Sequence, residues 1–464
     1  MIMKTKSLFL STLSLFVIFF FSHSLGHTQS NSPKNIILMI SDGCGYNHVD
    51  AASYYEYGEK GLQVYEQFPV IYPMSTYSYE GEYDSKFAWN DFQYVRRKPT
   101  DSAAAITAMA SGTKTINGMI NTDINRNKTR SMADYFEEMG RSTGVVTTVP
   151  FCHATPAGFV AHHYKRSDYI IIADEMLTES MADVIIGAGH PYYDDDGILL
   201  ESPDYRFIGK ETWESVAKGK LGNNADLDDD IETWKLVTEK EEFERLMKGP
   251  TPERVFGLFK KHSTLQQKRR GYDESSPFAE SFTRDIPQLY QLSLAAINVL
   301  DNNPEGFFLM IEGGAVDWAS HSNQSDRMIE EQIDFNKAVN KVVEWIESNS
   351  SWEETLLIVT ADHECGYLTG PLSGMNYCVE ESTGKPQWNP VQNKGKGVLP
   401  EMEWHSKSHT NSLVPCYAKG KGSELLHRYA DQNDPIRGNY IDNTELADVF
   451  FALYEISLIK ENAH

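Results

Sequence analysis

The chain has 464 residues, and its 66 acidic side chains outnumber 42 lysines and arginines to leave a net charge of −24. That excess argues against a stable nucleic-acid partner and disfavours anionic membranes, but it leaves small anions open, because positive charge gathered locally at a site outweighs distant carboxylates. Hydrophobic residues at 41% suffice for one large core with insertions hung from it.

At the N-terminus, Lys4 and Lys6 precede an apolar run from Leu8 to Phe21, and Ser24-Leu25-Gly26 offers small residues for cleavage. Residues 1–30 therefore read as a signal peptide and leader. The run is shorter than the ~20 residues of a spanning helix. No cysteine precedes Cys44, and the chain ends in polar Lys460-Glu461-Asn462-Ala463-His464. No membrane or lipid anchor is expected, and export to a periplasm or the medium follows.

Asn35 to Ile40 is a short, continuously apolar run, as a strand buried on both faces should be, and it leads into Ser41-Asp42-Gly43. Lys98 to Gly112 predicts a short Ala-rich helix, with Thr100 or Asp101 as N-cap, Ser102 in the first turn and Gly112 as stop. A hydroxyl there meets free N–H groups and the positive end of the helix dipole, so Ser102 could attack a phosphorus; alone, the pattern is more often just that of a cap.

Tyr192 to Gln288 is polar and poorly patterned, and it reads as an insertion. Its clusters Asp194-Asp195-Asp196 and Asp228-Asp229-Asp230 are better explained as solvated loops than as Ca²⁺ sites. Two further strand-like runs follow: Phe307 to Ile311 leads into Glu312, and Leu356 to Thr360 leads into Ala361-Asp362-His363. Between them Asp317 and His321 stand at i and i+4, on one helical face and able to share an ion. Ser325 to Glu347 predicts a helix with Ile329, Ile333, Val339, Val343 and Ile346 on one stripe, and Asn443 to Leu458 another with Leu446, Val449, Phe450 and Leu453. Tyr367 to Trp404, rich in Gly, Pro, Asn and Lys, reads as a loop insertion over the site.

One strand-terminal acid is easily a turn residue; several are hard to explain as capping. The fold expected is α/β, a largely parallel central sheet flanked by helices on both faces, with loop-rich insertions over the edge where those acids converge. Residues 31–464 would form this single catalytic domain, with insertions at about 192–288 and 367–404.

Ser41-Asp42-Gly43, T-D-S-A-A-A from Thr100 followed by S-G-T-K-T, H-A-T-P-A-G from His153 with Arg166 downstream, E-G-G-A-V-D-W-A-S-H from Glu312, T-A-D-H-E-C-G from Thr360 and S-H-T-N-S-L-V-P from Ser408 occur in that order. Together they resemble the bacterial alkaline phosphatases. The resemblance implies hydrolysis of phosphate monoesters at alkaline pH through a phosphoserine on Ser102, with two zinc ions and one magnesium, in a homodimer. It assigns Asp317, His321 and His409 to the first zinc and Asp42, Asp362 and His363 to the second. Asp42, Thr155 and Glu312 would share the third site, and Arg166, positioned by Asp101, would clamp two phosphate oxygens.

Two positions vary within the family. His153 could bring nitrogen close to the third site and make zinc as suitable there as magnesium, and Trp318, expected in the substrate-binding set, either removes a charge from near the phosphate or simply packs. His405 competes with His409, whose following residues match the family better. Cys44, Cys152 and Cys365 sit next to candidate ligands but read as small buried hydrophobes, and a Cys365 to Cys378 disulfide stays open. A phosphodiesterase or sulfatase on the same fold is the alternative reaction, weakened by Arg166, Thr155 and Glu312 and by the lack of a C-x-P-x-R signature around Ser102. A non-catalytic zinc-binding surface protein is the alternative class, weakened by the presence of Ser102.

Overall fold

The computed structural model describes residues 32–223, 232–271, 276–374 and 386–456. The expected leader, the Asp228-Asp229-Asp230 cluster, Cys378 and the chain from 457 onward lie outside them.

Eleven strands form the central sheet. In chain order they are β1 (Asn35–Ser41), β2 (Val70–Ser75), β3 (Ser142–Pro150), β4 (Val184–Ala188), β5 (Lys235–Val237), β6 (Val255–Leu258), β7 (Phe307–Gly313), β8 (Thr355–Thr360), β9 (Val414–Gly420), β10 (Gln432–Asp434) and β11 (Gly438–Asp442). Across the sheet they run β10-β11-β2-β9-β8-β1-β7-β3-β4-β6-β5. Every pairing from β8 to β5 is parallel, while β9 opposes both its neighbours and β10 opposes β11. The sheet is thus largely parallel, and its antiparallel strands gather on one side.

Phe307 and Phe308 reveal the two covering layers. Phe308 packs on Phe136 and Phe159 with ring centroids 5.9 and 5.2 Å away, whereas Phe307 meets Trp345 at 5.9 Å. Successive strand residues face opposite sides. Helices Met132–Glu138 and Ala154–Val160 therefore cover one face, and helix Ser325–Asn349 covers the other. Both rings are fully buried, and each such burial stabilises the fold by roughly 1.5–3 kcal/mol.

Ile329, Val339, Val343 and Ile346 of the long helix are buried as its stripe predicts, and Ile333 is partly so. The expected Asn443 to Leu458 helix is shorter, Glu445–Leu453, because Glu455 adopts φ +54, a left-handed backbone that no right-handed helix accommodates. The polar span 192–288 is more than an insertion: it supplies β5 and β6 to the central sheet. Those strands are too short, at three and four residues, to leave a clear period in the sequence.

Register levels the functional edge. Ile40 pairs with Glu312 on one side and Thr360 on the other, and Thr147 also pairs with Glu312. The carboxyl ends of β1, β7, β8 and β3 consequently finish side by side, which brings Asp42, Glu312, Asp362 and Thr147 to one rim.

Candidate active site

Ser102 is the first residue of helix Ser102–Ser111, which ends at Gly112 in the left-handed conformation, φ +71. Asp101 is the N-cap, its Oδ1 accepting from Ala104 N at 2.9 Å. The serine is only 2% exposed, and its Oγ lies 3.2 Å from His363 Nε2. It shares an open pocket of about 380 Å³ with His153, Arg166, Asp317, Trp318, His321, Ser322 and His409.

Helix Ala315–His321 puts Asp317 and His321 on one face, as their spacing predicts. His409 joins them from the short pair of strands Glu364–Cys365 and His409–Thr410. Asp317 Oδ1 is 3.3 Å from His409 Nε2 and Oδ2 is 3.4 Å from His321 Nε2, while the two Nε2 atoms face each other at 2.9 Å. Each imidazole is oriented through its other nitrogen: His321 Nδ1 meets Lys407 O at 2.7 Å and His409 Nδ1 meets Thr100 O at 2.9 Å. A proton on Nδ1 leaves each Nε2 lone pair aimed at one point, as metal-binding histidines require. His405 lies elsewhere, with Nε2 on Thr369 Oγ1 at 2.7 Å and its ring against the edge of Phe92.

A second group lies deeper. Asp362 Oδ1 accepts from Gly43 N at 3.1 Å and His363 N at 2.9 Å, and its Oδ2 is 3.1 Å from His363 Nε2. Asp42 Oδ1 is 3.6 Å from the same nitrogen. Gly43 must be glycine: its φ is +76, and an added Cβ would stand 2.8 Å from Asp317 Cα. Glu312 accepts a short hydrogen bond from the Thr147 hydroxyl.

Electrostatics makes this cluster unfavourable without a cation. Burial, and then the charges of Asp362, Asp317 and Glu312, push the Asp42 carboxyl well above its ordinary range. Burial likewise lifts Glu312 to about 7 and Asp362 to about 6. Asp317 moves the other way: burial opposes its charge, but His409, His321 and His363 outweigh that and hold it low. Burial also opposes a charge on His409, yet Asp317 lifts it to about 9. Both Asp42 oxygens, Glu312 Oε1, Asp317 Oδ1, Asp362 Oδ2 and Thr155 Oγ1 are buried without a hydrogen-bond partner. Buried oxygens left unpaired in such number fit metal ions in the cluster.

Donor atoms that lie mutually within 4.8 Å include Asp317, His321, Cys365 and His409 in one group and Asp42, Asp317 and His363 in another. Nitrogen and oxygen donors of these kinds suit zinc, and the oxygens of Asp42, Glu312 and Thr155 suit magnesium.

Arg166 approaches from the other side. Its Nη1 donates to Asp101 Oδ2 at 3.1 Å, and its Nη2 faces His153 Nε2 at 3.4 Å. Burial, and then the Arg166 cation, lower the His153 pKa to about 3, so the ring is neutral and can accept from the guanidinium. His153 is absent from the mutually close donor groups, and its Nδ1 is buried without a partner.

Some contributions had no clear sequence signal. Thr147 reads as an ordinary strand residue, although a hydroxyl at a buried strand end is a hint. Cys365 is buried as expected, but its Sγ also falls among the ligand atoms of Asp317, His321 and His409. The acidic turn Asp194-Asp195-Asp196 is occupied by backbone amides, including those of Ser263 and Arg270, and by Arg270 itself, in keeping with a structural loop. Among described residues, none of 367–404 lines the pocket; Tyr367, Leu368, Thr369 and Trp388 instead line a neighbouring cavity with Trp89 and Arg437. That segment is drawn away by the packing of Tyr367 and Trp388 on Phe92.

The "Alkaline phosphatase" family model matches residues 33–397. The chain is 26% identical to alkaline phosphatase 3 of Bacillus subtilis (strain 168), over 92% of this chain and 90% of that protein. The fold is similar to that of the alkaline phosphatase from the Antarctic bacterium TAB5, with a TM-score of 0.61 and 23% identity over 91% of this chain and 98% of that one. It is also similar, with a TM-score of 0.62, 23% identity and the same coverage, to a histidine-to-aspartate mutant of the TAB5 enzyme that has Mg bound in its M3 site.

Proposed function

We propose, from the premise that this chain belongs to the alkaline phosphatase family of metal-dependent phosphomonoester hydrolases, that it cleaves phosphate monoesters at alkaline pH by way of a phosphoserine on Ser102. The observation that carries this reading is the placement of Ser102 Oγ at a helix N-terminus, facing His363 Nε2 at 3.2 Å, in the pocket that Arg166 enters.

In the first step Ser102 Oγ attacks phosphorus as its proton passes to solvent, the P–O bond to the alcohol breaks in line, and the departing oxygen takes up a proton from solvent to leave as the alcohol. In the second, a water oxygen attacks the same phosphorus and gives up a proton to solvent, the bond to Ser102 breaks, Ser102 Oγ regains a proton, and inorganic phosphate is released. Two inversions give net retention. Arg166 would hold two phosphoryl oxygens through its planar fork, and Asp101 would hold Arg166. The free N–H groups of the Ser102 helix favour the anion at the same point.

We assign two zinc ions, one to Asp317, His321 and His409 and the other to Asp42, Asp362 and His363, and a third cation to Asp42, Thr155 and Glu312. Bound there, the ions supply Lewis-acid charge against the attacking and leaving oxygens and lower the pKa of water. Magnesium is proposed for the third site. His153, whose ring nitrogen faces the Arg166 guanidinium, is proposed to bear on that preference, with zinc as the competing occupant.

Among described residues no helix is long and apolar enough to cross a membrane. The leader 1–30 supports export to a periplasm or the medium, and the family supports a homodimer. The decisive assay compares a phosphate monoester, a phosphodiester and a sulfate ester on purified, metal-replete protein. Dominant monoester turnover is expected; preference for either of the others would overturn the assignment.

A further inference from the structure

The strap 263–270 crosses beside the pocket and is tied down residue by residue. Ser263 N and Thr264 N donate to Asp195 Oδ1 at 2.6 and 3.3 Å, and Leu265 N donates to Thr148 O at 2.8 Å, at the carboxyl end of β3. Gln266 Oε1 accepts from Thr283 N at 2.9 Å, and Gln267 Nε2 donates to Gln324 Oε1 at 2.7 Å. Arg269 is buried on Glu330 at 2.8 Å, and Arg270 pairs with Asp196.

Lys268 is the exception. Its backbone N–H donates to Thr264 Oγ1 at 2.9 Å, but among described residues its ammonium has no carboxylate partner and no hydrogen-bond acceptor. It lies over the ring of Trp318, with Nζ 4.7 Å from the centroid. Trp318 in turn lines the pocket with Ser102 and Arg166 and packs against His153 at 5.8 Å. Lys268 is exposed. The cation–π contact restrains the ammonium without neutralising it.

From this arrangement, and resting on the phosphatase reading above, we infer that the Lys268–Trp318 pair determines substrate specificity by recognising an anionic group on the alcohol part of the ester. Lys268 meets the pocket around Ser102 and Arg166 only through Trp318, and the inferred contact is therefore with the part of the substrate that projects beyond the phosphoryl group. The indole offers that part an apolar edge, and the ammonium over the ring favours a carboxylate or a second phosphate. The preferred class is therefore phosphate monoesters whose alcohol carries a further negative charge. Trp318 itself is neutral, and the cation over it comes from a separate stretch of chain.

The test is a matched pair of substrates, phenyl phosphate and 4-carboxyphenyl phosphate, on metal-replete wild type, Lys268→Met and Lys268→Arg. Methionine keeps an unbranched stem on the indole and removes the charge; arginine keeps the charge. The readout is the ratio of kcat/KM for the carboxylated ester to that for the plain one. We expect the ratio to fall about three- to five-fold in Lys268→Met, as suits an exposed charge pair, to be retained in Lys268→Arg, and to converge between wild type and Lys268→Met as salt is raised. The same ratio in all three proteins would overturn the inference and leave the phosphatase reading standing. A wild type that cleaves neither ester would overturn the phosphatase reading, and this inference with it.

Discussion

Arg166 and Asp101 are joined by a 3.1 Å ion pair, and the other oxygen of the same aspartate caps the helix that Ser102 begins. Asp101 Oδ2 also accepts from Gly118 N at 2.9 Å, so the carboxylate cannot move without loosening its loop. The proposed anion clamp and the proposed nucleophile are thus fixed to one anchor. Their relative placement is set before any substrate arrives.

Asp101→Asn keeps an oxygen for the cap but removes the charge that holds Arg166. Because the pair is about one-fifth exposed on each side, its loss should cost roughly 1 kcal/mol. The inhibition constant for inorganic phosphate should accordingly rise about five-fold, measured by competition against a chromogenic monoester. An unchanged constant would mean that Arg166 holds its position without Asp101.

Exhaustive chelation should abolish activity, zinc should restore it, and magnesium should raise it further. The unpaired buried oxygens of Asp42, Asp317, Asp362 and Glu312 are the reason. Metal analysis alongside the assay checks the claim. A metal-free protein with full activity would contradict it.

His153→Asp replaces a neutral acceptor beside Arg166 with a carboxylate. Added oxygen and negative charge favour Mg²⁺ over zinc, so activity should depend more strongly on added magnesium. Magnesium titrations of variant and wild type decide this, and superimposable curves would confine His153 to packing and to its contact with Arg166.

Glu331, on the long helix Ser325–Asn349, is 4% exposed, and burial followed by the charge of Asp334 lifts its carboxyl from 4.5 to about 8. The folded chain therefore keeps a proton that the unfolded chain releases. This group's stabilisation is complete below about pH 4.5 and is lost as pH rises through about 8. Calorimetric midpoints across that window should fall more steeply for wild type than for Glu331→Gln. Parallel profiles would show that Glu331 does not set the slope.

Much of the site is legible in sequence because each contribution is local. A short apolar strand followed by Asp42, Glu312 or Asp362 declares both the strand and the acid at its end, and the spacing of Asp317 and His321 declares a shared helical face. The middle of the chain resists the same reading. Strands β5 and β6 occupy three and four residues amid polar sequence, so packing on neighbouring strands, not periodicity, defines them. Lys268 reaches Trp318 only because Leu265, Gln267, Arg269 and Arg270 bond to partners far away in sequence, and no local pattern encodes such a strap. The segment 367–404 lies aside from the pocket for a similar reason: Tyr367 and Trp388 find Phe92, a contact that composition alone does not specify.

Covalent transfer to Ser102 separates the proposed reaction from direct attack of water on the ester. Rapid acid quench of the metal-replete enzyme during turnover of a phosphate monoester, followed by peptide mass mapping, tests it most directly. A phosphate on Ser102 is expected in wild type and none in Ser102→Ala, whose kcat should fall on the order of 10³-fold or more with its metal content intact. Wild-type turnover by Ser102→Ala, with no phosphate ever trapped on Ser102, would contradict it.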